Sequence, residues 1–528
     1  MLSRSEVQLY KFSLLFLLFT LVALIFKLPE NLDIVLNWSH YPILNFDLSF
    51  RIVTIFFLLI AFLIILSTKS LCFSEMLFIF IYTINLLCVI LSKRILFAVI
   101  FYELMSISSF FIIAAGSKDS GPPVRYACVH FFAGVILIMG LANHRFSEPI
   151  IIIGLLINSA CFPFSFWVVD AYPSASLHSA LYLSTFTTKI SFLIALLHTY
   201  NFWQDYDKIL AFLGTITAIY GIIFAFFEQN IRRFFAYNAV GQMGILIITG
   251  SLLSRSEDAL PLLIFNIIFS IVYQVLFIVV INGVILRTKV MNFNRVNKFM
   301  LVEGACVLVA ILAMAAFPGT AGFISKSYIG VRIKMDSTGL KIYENLHKIL
   351  SLLLYLGIGL KFFYYLFPIN TSGSKLKIPE NATIIFILTF ICIIIGNPYL
   401  PIYNKSVIFD FVYNIQNIYS QFILLLCITL LFISLRNLFL LRINFKMDVD
   451  WIFRALIPYV VLLFSELIFK LKTTFITALR SLTNFLINLY LNNISKFKDV
   501  LCYSSVSFVS ASSLFLINIL LILLCLNC

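Results

Sequence analysis

Residues 154–173 read GLLINSACFPFSFWVVDAYP, an apolar run long enough to cross a bilayer. Pro163 interrupts this run, and Asn158 places a polar amide within it. Proline removes a backbone hydrogen bond and breaks a helix, and the freed backbone groups of a broken membrane helix then line a polar cavity. The stretch therefore predicts a discontinuous membrane-spanning helix with a polar side chain close to its break.

A second stretch farther along the chain has the same character. Residues 317–326 read FPGTAGFISK, so Pro318 interrupts another apolar run and Lys326 follows it. Broken spans in corresponding places mark ion sites in membrane transporters. We therefore predict a second broken helix, with Lys326 facing the interior of the helix bundle.

The composition of the whole chain supports a membrane protein. Its 528 residues are 62% hydrophobic and 11% charged, whereas a soluble domain is about 45–50% apolar and about 25% charged. This excess excludes a water-soluble globule, a disordered chain, a disulfide-rich secreted domain and a nucleic-acid-binding domain. The apolar runs are too long and too uniformly apolar for barrel strands, and they predict an all-α polytopic protein of 14 to 16 transmembrane helices.

The two ends of the chain and its charge pattern predict the topology. Residues 10–28 lack a cleavage site and are expected to form a retained first span. Residues 451–470 and 507–527 are weaker candidate spans, and 471–500, an apolar pattern punctuated by cations, is expected to lie in the membrane interface. The net charge of +14 is concentrated in alternate gaps between spans, which places the N-terminus on the cytoplasmic side of a cell inner membrane.

Charged side chains inside the apolar runs need a structural or functional explanation, because inserting each one into the bilayer costs about 2.5–3.5 kcal/mol of free energy. Such side chains are Glu103, Lys189, Lys326 and Lys361. They could form buried ion pairs or snorkel to the interface, or they could pass protons along the middle of the membrane. His130 also lies within a span, and it could be either a relay group or a hydrogen-bonded packing residue.

Enzymatic functions receive little support from the sequence. No phosphate-binding loop, nucleotide fingerprint or zinc spacing appears, and the ten cysteines and six histidines are scattered. We therefore predict a transporter subunit rather than an enzyme, with no cofactor and no metal site.

Several motifs together resemble those of the antiporter-like membrane family. They are the broken-helix stretch at 154–173, the basic turn and following helix at 228–244, Thr187-Thr188-Lys189, and the second broken-helix stretch at 317–326. This family comprises the D-type subunits of the multisubunit (Mrp-type) cation/proton antiporters and the proton-translocating membrane subunits of NADH:quinone oxidoreductase, or respiratory complex I. Within residues 154–173, the final Asp-Ala-Tyr-Pro favours the Mrp branch over complex I.

The resemblance covers residues 50–440 and implies two inverted five-helix repeats, each with one broken helix. These repeats would occupy about 72–200 and 208–367, which together form a transmembrane core over 72–367. The remaining segments would be N-terminal spans over 1–71, additional spans over 368–450, and a C-terminal extension over 451–528 with the interfacial helix and the last span.

The resemblance also implies roles for individual residues. Glu103 would be the channel glutamate, Lys189 the central lysine and Lys326 the exit-side lysine of a proton relay. The sequence departs from the family where a lysine gives way to Asn158, and where a histidine and a lysine give way to Asn266 and Gln274. Possible accessory groups are therefore His130, Asn158, Asn266, Gln274 and Lys361.

The leading hypothesis is a proton-translocating subunit of a multisubunit sodium/proton antiporter. The alternatives are a proton-pumping membrane subunit of NADH:quinone oxidoreductase and a transport-inactive structural paralogue. The expected partners are other membrane subunits, protons, monovalent cations and the lipid bilayer, with no nucleic acid. Because Asn158 cannot neutralise Glu103, we expect weak transport through the first repeat unless His130 pairs with that carboxylate.

Overall fold

The computed structural model describes residues 18, 20–21, 34–35, 42–44, 48–68, 72–143, 147–254, 259–293, 300–335, 341–366, 381–400, 412–439, 451 and 455–497. Across these residues the protein is almost entirely helical. One short antiparallel pair of strands, β1 (Ile34–Val35) and β2 (Pro42–Leu44), precedes the helices.

The described part of the chain contains 17 α-helices. In chain order they are α1 (Leu48–Ser67), α2 (Phe73–Leu91), α3 (Ile95–Gly116), α4 (Gly121–Ala142), α5 (Ser147–Asn158), α6 (Phe166–Ser174), α7 (Leu177–Thr199), α8 (Asp207–Phe227), α9 (Ile231–Leu253), α10 (Ala259–Thr288), α11 (Leu301–Met314), α12 (Ala321–Met335), α13 (Lys341–Leu354), α14 (Lys361–Leu366), α15 (Ala382–Ile395), α16 (Ile415–Phe439) and α17 (Ile457–Phe497). A single 3₁₀ turn (Tyr200–Phe202) follows α7, and a π-helical segment (Tyr355–Leu360) joins α13 to α14.

Ten helices within the described ranges are long enough and apolar enough to cross a membrane, and three shorter apolar helices accompany them. The prediction of an all-α polytopic membrane protein is thereby confirmed. The two broken spans contribute pairs of shorter helices, which is one reason why fewer long helices than predicted spans are found. The predicted span at 507–527, and nearly all of the one at 10–28, lie outside the described residues. The two inverted repeats stay a prediction.

The centre of the bundle is formed by α7, α9 and α10, in which nearly every residue is buried. The pair α8 and α9 packs backbone to backbone, since a Cβ added at Gly221 would lie 2.3 Å from the amide nitrogen of Gly241. One added at Gly244 would lie 2.3 Å from the amide nitrogen of Ala218. Small residues allow such close approach, which is how helices pack in membranes.

The chain divides into two compact units, 1–450 and 451–528. In the second unit α17 runs without interruption for 41 residues. The sequence predicted a candidate span over 451–470 and a separate interfacial helix over 471–500, but in the structure one helix runs through both. The physical reason is that no glycine or proline occurs after Pro458 to end the helix between the two segments.

Candidate functional site

The predicted breaks at Pro163 and Pro318 are both present, between α5 and α6 and between α11 and α12. They have the same backbone conformation, with an alanine in the left-handed region: Ala160 at φ 59° and Ala316 at φ 58°. In each case the next amide donates to the carbonyl five residues back, Cys161 to Leu156 at 3.0 Å and Phe317 to Leu312 at 2.9 Å. This pattern is a Schellman-type helix ending, so the two half-helices end alike.

At the first break, neutral donors bind the carbonyls that the end of α5 exposes. Ser191 Oγ donates to the Leu155 carbonyl at 2.8 Å, and Trp167 Nε1 donates to the Ile157 carbonyl at 3.2 Å. Asn158, the last residue of α5, is fully buried, and neither atom of its side-chain amide makes a hydrogen bond to the described residues.

At the second break, a cation binds a carbonyl at the end of the first half-helix. Lys326 Nζ, from α12, donates to the carbonyl of Met314, the last residue of α11. Gln421 Nε2, from α16, donates to the Ala315 carbonyl at 2.8 Å. The C-terminal end of a helix carries partial negative charge and unpaired carbonyls, so it favours a cation. The structure therefore places Lys326 at the helix break, as the sequence predicted.

Glu103 lies in α3 with its carboxylate against the backbone of α4. A Cβ added at Gly134 would lie 2.8 Å from the carboxyl carbon of Glu103, so the carboxylate packs directly against this glycine. Its Oε1 is buried without a hydrogen bond, and no ion pair to Glu103 forms within the described ranges. The sequence has Asn158 where the family has a lysine, and the described residues likewise provide no cation that pairs with Glu103.

His130 is brought to the same interface as Glu103. It is buried in α4, with its ring centroid 4.2 Å from that of Tyr126 and 4.6 Å from that of Trp167. Its Nδ1 is 3.5 Å from Ser106 Oγ, three residues after Glu103 on α3, and its Nε2 has no partner among the described residues. His130 and Glu103 therefore face the same α3–α4 contact without forming an ion pair.

Lys189 is fully buried in α7, and its Nζ donates to the Ser184 carbonyl at 3.0 Å. No carboxylate pairs with it in the described part of the chain. The neighbouring helices α9 and α10 carry buried side-chain amides, each with at least one atom that lacks a hydrogen-bond partner: Asn238, Gln242, Gln274 and Asn282. Asn266 is buried in α10 as well. Ordered water is the usual partner of buried polar atoms that no protein group satisfies.

Lys361, a predicted accessory group, lies apart from the other lysines. It is buried, and its Nζ is 5.3 Å and 5.1 Å from the ring centroids of Phe234 and Phe293. Its ammonium donates to three carbonyls at the end of α8, those of Ala225 at 3.0 Å, Phe226 at 2.6 Å and Glu228 at 2.7 Å. These three bonds use all of its N–H groups, so the structure places Lys361 as a cap on α8.

His347 was not among the site residues predicted from the sequence. It is a buried residue of α13 that lines one cavity with Lys326. Its Nε2 is 3.1 Å from Thr249 Oγ1 of α9. Its one signal in the sequence was its position near the start of a predicted span. A neutral histidine carries no formal charge, so a search for charged residues does not find it.

Asp170, in the Asp-Ala-Tyr-Pro stretch, forms a two-bond ion pair with Arg125. Arg125 Nε and Nη2 lie 2.7 Å and 3.0 Å from the two carboxylate oxygens. Arg232 donates to the carbonyls of Tyr172 and Ala175 at the end of the same helix, α6. These arginines fix the second half of the first broken helix to α4 and α9.

The comparisons with known proteins agree with this geometry. Residues 140–337 match the domain described as "NADH:quinone oxidoreductase/Mrp antiporter, TM". The chain is 24% identical over 286 residues to NADH-quinone oxidoreductase subunit N of Bacillus anthracis, covering 50% of this chain and 54% of that protein. The matched segment thus spans about half the length of that relative.

Solved structures share the fold at low sequence identity. A chain of respiratory complex I from Thermus thermophilus aligns with a TM-score of 0.59 and 17% identity, covering 74% of this chain and 92% of that one. A chain of the Mrp complex from Dietzia sp. DQ12-45-1b aligns with a TM-score of 0.61 and 15% identity, covering 74% and 90%. These matches confirm the resemblance predicted from the sequence: the chain is similar to the membrane subunits of NADH:quinone oxidoreductase and of the Mrp antiporters, and it shares their fold.

Proposed function

We propose that the chain is a proton-translocating membrane subunit of an NADH:quinone oxidoreductase-type respiratory complex. The observation that carries this proposal is Lys189, whose amine is fully buried at the centre of the bundle. Among the described residues it is bound only by the Ser184 carbonyl. An ammonium without a counter-charge in a membrane interior is costly, and a lysine in such a place readily releases and regains its proton.

The groups that would carry the proton follow one another through the bundle. Glu103 and His130 share the α3–α4 contact, Lys189 lies in the central α7, and Lys326 lies at the second break. Buried polar atoms without a hydrogen-bond partner among the described residues occur on Asn158, Thr188, Gln274 and Ser351. Water bound to such atoms would connect the sites, and a change of charge at one site would alter the proton affinity of the next.

The respiratory assignment is supported by the relative in Bacillus anthracis, which is named as an NADH-quinone oxidoreductase subunit. A second candidate is a subunit of a sodium/proton antiporter, which the fold shared with the Mrp complex favours. Glu103, which has no cation partner among the described residues, favours the third possibility, a transport-inactive structural paralogue.

The proposed partners are other membrane subunits and the lipid bilayer, in a cell inner membrane with the N-terminus on the cytoplasmic side. The proposal of partner subunits and lipid is supported by α16, which is largely exposed. Its apolar side chains need lipid or another subunit around them. Under this proposal the translocated ion is the proton.

The test is proton uptake by the purified native complex in proteoliposomes, driven by NADH and a quinone. We expect Lys189→Ala to lower proton uptake about tenfold or more, because a proton carrier at the centre has been removed. Lys208→Ala changes an exposed lysine at the start of α8 and serves as the matched control.

Uptake by the Lys189→Ala complex at the wild-type rate would contradict proton translocation through this chain. Purification with subunits that lack redox activity, together with sodium-driven proton exchange in the absence of NADH, would instead establish the antiporter.

A further inference from the structure

The tautomer of His347 can be assigned from the hydrogen bonds around it. His347 Nε2 lies 3.1 Å from Thr249 Oγ1, and the Thr249 hydroxyl donates to the Ile245 carbonyl at 2.7 Å. A hydroxyl has one hydrogen to donate, so Thr249 Oγ1 must accept from His347. In the neutral ring Nε2 therefore carries the hydrogen, and Nδ1 is left as a free acceptor.

A polar cavity lies beside this histidine. Its volume is about 220 Å³, and Lys326 from α12 and His347 and Ser351 from α13 line it. Asn417 and Gln421 contribute amides from α16. The Ser351 hydroxyl is buried and has no hydrogen-bond partner within the described residues, as expected of a wall that holds water. The cavity is large enough for several water molecules, each of which needs about 30 Å³.

We infer that His347 exchanges protons with Lys326 across this cavity, and that Thr249 is a positioning residue that keeps His347 Nδ1 free to accept. This inference rests on the proposed function and adds to it the group that follows Lys326 in the relay.

The transfer balances without a redox step. An Nζ–H bond of the Lys326 ammonium breaks while an Nδ1–H bond forms on His347, directly or through one water. Lys326 becomes a neutral amine and His347 an imidazolium. The imidazolium then releases its Nδ1 proton to water in the cavity, which restores the neutral ring with Nε2–H still bound to Thr249.

The charged groups around His347 favour the movement of one proton at a time. Lys326 faces it from α12, and Glu344 and Lys348, 3.0 Å apart, share its own helix and line the same cavity. Among the described residues, α9 contributes the Thr249 hydroxyl as the partner of His347. The residues of α16 that line the cavity carry no charge: Asn417, Ser420, Gln421 and Leu424. Because like charges repel, His347 is most easily protonated when Lys326 is neutral.

The principal test uses His347→Gln in the native complex, assayed by proton uptake in proteoliposomes. The glutamine Nε2 can still donate to Thr249, but the side chain cannot take up a proton. We expect assembly and melting temperature to be unchanged and proton uptake to fall about tenfold or more. Uptake at the wild-type rate would overturn the inference.

Thr249→Val tests the positioning role separately. It removes the acceptor that fixes the tautomer, and we expect a smaller loss of uptake together with a shifted pH profile. Thr215→Val is the matched control, because Thr215 is a buried threonine with the same bond to the carbonyl four residues back, at 2.7 Å. A pH profile equally unchanged in both valine variants would contradict the role of Thr249.

The Lys189→Ala variant separates this inference from the proposed function. Loss of uptake in Lys189→Ala with full uptake in His347→Gln would overturn only the role of His347, whereas full uptake in both would overturn the proposed function as well. If His347→Gln fails to assemble, ¹⁵N-histidine spectra of the wild-type complex decide the matter. A neutral His347 protonated at Nδ1 would overturn the inference, and one protonated at Nε2 would support it.

Discussion

The two helix breaks differ in charge although the helix endings before the two prolines match. Ala160 and Ala316 take the same left-handed conformation, and the same helix ending closes around each. At the first break an indole and a hydroxyl bind the carbonyls of Ile157 and Leu155, close to the uncharged Asn158. At the second break the ammonium of Lys326 binds the carbonyl of Met314. The backbone turn therefore does not depend on a particular charge, and the chemistry of each break is set by its side chains.

His130, near the first break, and His347, near the second, also differ in their surroundings. His130 lies between aromatic rings near a carboxylate without a cation, and its Nε2 has no partner within the described residues. His347 lies near a lysine, its tautomer is fixed by Thr249, and it lines a polar cavity. The second half of the molecule thus has the groups needed for proton exchange with water, whereas the first half encloses its histidine, His130, among aromatic side chains.

The largest expected effect separates the two breaks directly. Lys326→Ala should lower proton uptake by the native complex about tenfold or more, because it removes the cation of the second break. Asn158→Ala should change uptake by less than about twofold, since it removes only a neutral amide whose contribution is that of a single hydrogen-bonding group. Proteoliposome assays at matched protein content measure both, and equal losses would show that the breaks do not differ in function.

A second variant makes the first break resemble the second. Asn158→Lys supplies a cation at the end of α5, near Glu103 and His130, and we expect proton uptake to rise or its pH optimum to shift. Asn158→Gln is the control, because it alters size without adding charge. If the lysine variant keeps the wild-type rate and pH profile, the missing lysine does not limit transport.

A third pair of variants compares how much the side-chain contacts at each break contribute to the free energy of unfolding. Arg125→Met leaves the nearly buried Asp170 without its partner and should lower the free energy of unfolding by about 1–3 kcal/mol. Tyr413→Phe removes two hydroxyl contacts at the second break, to the Gly319 amide at 3.3 Å and the Gly396 carbonyl at 2.5 Å. Its expected cost is smaller, about 0.5–1.5 kcal/mol. Thermal melting of the complex measures both, and a larger loss for Tyr413→Phe would reverse the comparison.

The smallest effect concerns the feature that the breaks share. A left-handed residue other than glycine costs about 1–2 kcal/mol, which the greater chain entropy of glycine in the unfolded state partly offsets. Ala160→Gly and Ala316→Gly should therefore each stabilise the protein slightly, by about 1 kcal/mol or less. Melting temperatures that move in opposite directions would contradict the equivalence of the two backbones.

The sequence predicts the elements that depend on local chemistry. Proline ends a helix wherever it occurs in the middle of one, so the breaks at Pro163 and Pro318 could be placed in advance. A formal charge inside an apolar run is equally visible, which is why Glu103, Lys189 and Lys326 could be singled out.

Contacts between distant parts of the chain could not be predicted in this way. His347 meets Thr249 across 98 residues, and the role of Lys361 as a cap depends on carbonyls up to 136 residues away. Neither pairing leaves a periodic or compositional trace in the sequence, because the partners of His347 and Lys361 are a threonine and backbone carbonyls, which no sequence pattern marks.

The π-helical segment between α13 and α14 has a geometric consequence for the helix that contains it. A π-turn accommodates an additional residue, and each residue advances an α-helix by about 100°. Residues after Tyr355–Leu360 are thus out of phase with those before it, so the same helix directs His347 to the cavity and Lys361 to the end of α8. Deleting one residue of the segment, such as Gly357, would rotate Lys361 away from α8 and leave the orientation of His347 as it is.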